Sequence, residues 1–174
     1  FRQKKRLTIT VVTMALGVAI FNTGFNVRAS LATLLEDISN SMKHDVQVVL
    51  KNQIPRERAV SVFSSIKNVA RIETWNGGRG ELQSQVVATS SGVGIVALPY
   101  DTDLFRPRII AGRWLQRSQP PEVVMNRQAL DLYGNPAIGS SQSLEISGHT
   151  LTVKLVGIVE ELEKSKIYID QAQY

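Results

Sequence analysis

The 174-residue chain contains no cysteine and only two histidines, His44 and His149. A disulfide scaffold and a thiolate zinc site are therefore excluded, while an oxidising compartment is permitted. Neither histidine has a second at metal-ligand spacing; His44 stands before Asp45 at a helix-to-strand junction, and His149 follows Ser147 and Gly148 in a turn. Both read as exposed boundary residues. Asp101 and Asp103 in "DTD" lack the longer ligand run, ending in Glu, that calcium loops use, and cap a short turn at Leu104 and Phe105 more simply. "GGRG" lacks the Gly-Lys-Ser/Thr ending of a phosphate loop and reads as a hairpin turn. Ser165 beside Lys166 has no base nearby in sequence, and neither G-x-S-x-G nor H-E-x-x-H occurs. No catalytic, cofactor-binding or metal-binding residue is assigned, and no cofactor is expected.

Charge of one sign is scarce too, once its location is considered. The formal net charge is +5, but Arg2, Lys4, Lys5 and Arg6 supply four units, leaving sixteen Lys and Arg against fifteen Asp and Glu elsewhere. Nucleic-acid binding needs a concentrated basic surface to release counterions, and the body of the chain has none. No nucleic-acid partner is expected.

The chain does hold one long apolar run. Leu7 to Val27 is 21 residues without a charge, with Leu16 near its middle and Arg6 and Arg28 at its ends. At about 1.5 Å of rise per residue it covers the roughly 30 Å hydrocarbon layer. A signal peptide would have a shorter apolar region and a small-x-small cleavage site, and a soluble core helix would show a polar face. A membrane span fits best, and the basic flank places the N-terminus in the cytoplasm and the rest across the membrane. Thr13, Gly17 and Gly24 fall near one stripe, which would let another helix approach. Leu31, Leu34, Leu35, Ile38 and Met42 continue at helical spacing, so the span is expected to extend as an amphipathic stalk or to become a first helix packed on its own domain.

The predicted organisation is 1–27 basic flank and transmembrane helix, 28–44 helical stalk, and 45–174 an extracytoplasmic α+β domain. "DVQVVL" and "VARIETW" read as strands around a helix with Ala59, Val62, Phe63 and Ile66 on one face, a β-α-β unit. "ELQSQVVAT" and "GVGIVAL" read as further strands, and "PYDTDLFRPRIIAGRW" as loop with a helical turn. "EVVMN", "RQALDLY" and "GNPAIGSS" read as strand, helix and turn; "QSLEI" and "TLTVKLVGIV" as a hairpin; "KIYID" as a last strand. The fold class is a mixed α+β domain with β-α-β units and hairpins.

Taken in order, the basic flank, the span running into a helix, "VARIETW", "AGRWL", "EVVMN", "YGNPAIGSS", "TLTVKLVGIVEE" and "KIYID" resemble the extracytoplasmic core of MacB/FtsX-type ABC transporter permeases. The matching positions are Gly112, Arg113 and Trp114, then Asn126, Gly139 and Gly157. The stretch from Leu130 to Gly139 is short for that family, and Gly77 to Gly80 lies where the family varies. The resemblance implies a non-enzymatic permease segment in the cytoplasmic (inner) membrane, with a separate cytoplasmic ABC ATPase as partner. It also implies contact with lipid, with other permease helices or a second permease subunit, and with an extracytoplasmic partner protein. Motion of the ATPase would reach the outer domain through the first helix, for export, lipid or lipoprotein handling, or control of an envelope partner. The alternative is an extracytoplasmic ligand-sensing domain of a membrane-anchored signalling protein, which shares the flank, span and mixed body. The opening Phe1 leads one to expect a segment of a longer protein, ending before its next span.

Overall fold

A computed structural model describes residues 2–52, 54–83, 92–161 and 164–174, with the backbone alone at 2, 37, 38 and 83. It divides into two compact units, Phe1–Asn40 and Ser41–Tyr174.

The first unit belongs to one helix, α1, Arg2–Ser41, 40 residues long. It is long and apolar enough to cross a membrane, with a mean hydropathy of 1.7 in its most apolar window and none of that window buried. Its threonine hydroxyls bond the helix's own carbonyls, as Thr13 Oγ1 does with Ile9 O at 2.9 Å. That satisfies a polar side chain without a neighbour. Leu31 and Leu35 are exposed and Leu34 is half-buried, while the side chain of Ile38 lies outside the described residues. Met42 is past the helix end and forms an isolated antiparallel bridge with Phe105. The helical stretch thus stops three residues before the expected boundary at residue 44.

The second unit is built on seven strands: β1 (Asn76–Gln83), β2 (Val93–Leu98), β3 (Arg108–Gly112), β4 (Glu122–Asn126), β5 (Ser141–Ile146), β6 (His149–Glu160) and β7 (Lys166–Asp170). Its helices are α2 (Arg56–Ser64) and α3 (Arg127–Leu132), with a closing 3-10 turn at Gln171–Gln173. The order is β3-β6-β4-β7-β2-β1-β5, and β5 pairs again with β6. That pairing closes a circuit through β6, β4, β7, β2, β1 and β5, which leaves β3 appended to β6. β4 and β6 run parallel, as do β2 and β7, and the β5–β6 hairpin turns at Ser147 and Gly148, both at positive φ.

Period-two alternation buries both faces of the central strands. Val123, Met125, Ile167, Ile169, Val93, Ile95, Val153 and Leu155 fill one core with Leu82 and Leu144. Val124, Tyr168, Val156, Val159 and Leu98 belong to a second, with Phe105 and Leu115. This explains why the middles of these strands, Val123–Met125 and Ile167–Ile169, are not broken by alternating polar residues.

Three expectations change. "DVQVVL" and "VARIETW" form no strand up to Trp75, so the first β-α-β unit is absent although its helix, α2, is present. Val46 and Val49 are 76% and 84% exposed there, and a strand needs a neighbour's edge to pair with and a surface to cover. "NGGRG" is the first part of β1, and its glycines answer to close approach: a Cβ on Gly80 would lie 2.5 Å from Ile95 Cδ1 and 2.8 Å from Glu145 O. Gly80 is where β1 passes from β2 to β5. "RIIAG", expected as loop, is β3. Of "ELQSQVVAT", residues 81–83 are in β1 and the remainder lies outside the described residues.

Candidate functional site

The second unit begins on a strap. Ser41 O accepts from Arg106 N at 2.8 Å, and Lys43 N donates to Leu104 O at 3.0 Å. His44 Nδ1 lies 3.3 Å from the same carbonyl. The loop residue between Leu104 and Arg106, Phe105, is buried in the second core, with ring centroids 5.9 Å from Trp75, 5.9 Å from Trp114 and 5.2 Å from Tyr168. His44 adds an edge contact to Trp75 at 5.8 Å. Aromatic pairs at such distances add to burial through edge-to-face attraction. The first residues after α1 are thus held on a rigid aromatic floor.

Glu73 ties the neighbouring segment to the same loop. Its carboxylate accepts from Arg71 Nη2 at 2.6 Å, Trp75 Nε1 at 3.2 Å and the Thr102 hydroxyl. Thr102 Oγ1 also accepts from Leu104 N at 3.2 Å, so the cap expected of the aspartates comes from the threonine between them. Asp103 instead pairs with Arg106 at 2.6 Å and Arg71 at 3.3 Å; those hydrogen bonds, Arg106 first, hold its carboxyl below the usual range. Among the described residues no group of three metal-ligating side chains occurs.

The motif positions converge on β6 around Val156, where the β4 register steps from Leu155 to Gly157. Such a bulge bends a strand and re-aims its neighbours. Arg113 N donates to Val156 O at 3.0 Å, and Gly139 N to Leu155 O at 2.7 Å. Gly112 has φ +74°, and a Cβ there would lie 2.2 Å from Val156 O. Gly157 leaves still less room, 2.1 Å from Arg113 O. Two backbones cross here without a side chain between them, which only glycine permits. Trp114 packs against Phe105 and Tyr168 above the crossing.

Arg113 then turns its guanidinium to Glu122, with Nη1 to Oε2 at 2.6 Å and Nη2 to Oε1 at 2.5 Å. Gln116 N adds a third donor at 3.0 Å. The Glu122 side chain is only 5% exposed, and the guanidinium hydrogen bonds hold its carboxyl below the usual range against the opposing effect of burial. Asn126, fully buried, caps α3 by accepting from Ala129 N at 2.9 Å, and accepts from Lys166 N at 3.0 Å; its Nδ2 donates to Lys164 O at 2.9 Å. One amide joins the end of β4, the start of α3 and the start of β7. Phe105, Trp75, Tyr168, Glu73 and Glu122 were not singled out from sequence. A carboxylate heading the apolar Val123–Met125, nine residues after an arginine, was the one local signal.

No known family profile matches the chain, and no curated protein does. Solved structures do. The periplasmic region of MacB from Actinobacillus actinomycetemcomitans matches 71% of this chain at 12% identity and a TM-score of 0.51. The fold is MacB-like. The extracellular domain of the noncanonic ABC-type transporter YknZ from Gram-positive bacteria matches 76% at 9% identity, also at TM-score 0.51. The match spans 58% of the MacB region and 71% of the YknZ domain. In the MacB-like fold of this chain, the strap and the β6 crossing border the same aromatic core.

Proposed function

We propose that the chain is the first membrane helix and extracytoplasmic domain of an ABC transporter permease, itself without enzymatic activity. The basic flank would lie in the cytoplasm, residues 7–27 in the inner membrane and the sheet domain outside it. A cytoplasmic ABC ATPase would supply the motion, for export, lipid or lipoprotein handling, or control of an envelope partner. The observation that carries this reading is the combination of a membrane-length helix with a MacB-like domain in one chain. The strap supports it mechanically: the residues that follow α1 are hydrogen-bonded to a loop whose Phe105 is seated in the core, so displacement of Ser41–Lys43 would be transmitted rather than absorbed. The full chain in lipid vesicles is expected to hydrolyse no ATP, whereas the permease isolated from its native membranes should bring with it a vanadate-sensitive ATPase. Hydrolysis by the chain alone, scaling with its purity, would contradict the reading.

A further inference from the structure

The chain has three methionines and no cysteine, so thioethers are its only sulfur open to oxidation. The three differ in surroundings. Met14 lies in the apolar run of α1, inside the proposed span, and Met125 is fully buried in β4. Met42 is 38% exposed and follows the last residue of α1. Outside the apolar run it is the one methionine that solvent reaches.

Its place in the strap gives that exposure a consequence. The backbone groups on either side of Met42, Ser41 O and Lys43 N, hold Arg106 N at 2.8 Å and Leu104 O at 3.0 Å. Opposite Met42 in the isolated bridge stands Phe105, whose ring is seated against Trp75, Trp114 and Tyr168. A pairing this short is sensitive to the side chain at its centre, because each backbone bond exchanges against water for a modest net gain.

We propose that Met42 is a redox-sensitive modification site, and that its oxidation by a peroxide to methionine sulfoxide loosens the strap. The sulfur lone pair attacks one peroxide oxygen; the S–O bond forms as the O–O bond breaks, and with hydrogen peroxide the second oxygen leaves as water. Sulfur gives up two electrons and the peroxide takes them. The product replaces a flexible apolar group by a polar, chiral one. Its oxygen is better satisfied by water than on the partly covered surface where the strap is seated, so the lifted strap gains over the seated one. The regulatory meaning rests on the reading of the strap as the joint that carries movement of α1 into the domain: an oxidised joint transmits less, and reduction of the sulfoxide restores it.

The test treats the full chain in lipid vesicles with hydrogen peroxide, locates the sulfoxide by peptide mass spectrometry and follows amide hydrogen exchange at Lys43 and Arg106. Met42 should oxidise about ten-fold or more faster than Met125, which close packing shields. Exchange at both strap amides should then rise about five-fold or more, since exchange reports local opening. Met42→Leu, which keeps an apolar side chain of similar size, should hold exchange at the untreated level in the presence of peroxide. Met42→Gln, polar without any oxidant, should raise it. Oxidation of Met42 no faster than that of Met125, a Met42 sulfoxide with unchanged exchange, or an equal rise in the leucine variant would overturn the proposal. Met14 tests the topology separately: oxidation as fast as at Met42 would contradict the span while leaving the strap site standing.

Discussion

Glu122 stands at the head of an apolar strand with both oxygens taken by Arg113 and a third bond from Gln116 N. Its folded carboxyl titrates below the usual value of 4.5, so the pair stabilises the fold above that pH and the contribution fades as pH falls through the lowered value. Arg113→Ala strips the nearly buried carboxylate of both guanidinium donors. Because Arg113 is 43% exposed, we expect a loss of about 2 kcal/mol at pH 7, below the roughly 3 to 5 of a fully buried pair. Urea unfolding of the full chain in detergent should give that difference at pH 7 and a smaller one at pH 3, below the unfolded value; an equal loss at both would show that the pair's charge is immaterial. At this scale the sequence was least legible. Gly112, Gly157 and Asn126 stood in quoted motifs, but what they do depends on chain that arrives from elsewhere: Gly157 is glycine because Arg113 O passes over it, and Asn126 is asparagine because its partners start two other elements.

At the scale of elements, periodicity served where an element's own residues decide its burial. α1, α3, the β5–β6 hairpin, β4 and β7 all follow from local pattern. It misled where the neighbour decides: Val46 to Leu50 alternate like a strand but have no edge to pair with, and the glycines of β1 looked like a turn because close strand crossing and tight turning call for the same residue. The element that matters most for the proposed role is α1, which continues as helix from the apolar run to Ser41. Ala32→Pro removes a backbone hydrogen bond and clashes with the preceding turn, at about 3 kcal/mol or more, whereas Ala32→Ser leaves the rod intact. In the full permease with its ATPase, the proline variant should keep membrane insertion and ATPase binding but lose activity of the assembly, and the serine variant should keep all three. Full activity of the proline variant would rule out transmission along a continuous helix.

The whole molecule joins a basic flank, a helix long enough to cross a bilayer and a MacB-like sheet domain nearly neutral in charge. The order of these parts was legible because each is marked by composition over many residues. The closed strand circuit was not, since β5–β6 and β4–β6 pair on one twelve-residue strand that the pattern shows only as a hairpin arm. The central claim is that the domain lies across the membrane from the flank, and one cysteine tests it. Asp131→Cys places a unique thiol on the exposed surface of α3. In right-side-out membrane vesicles bearing the full protein, an impermeant maleimide should label it to the same extent before and after permeabilisation; labelling only after permeabilisation would put the domain in the cytoplasm and contradict the account.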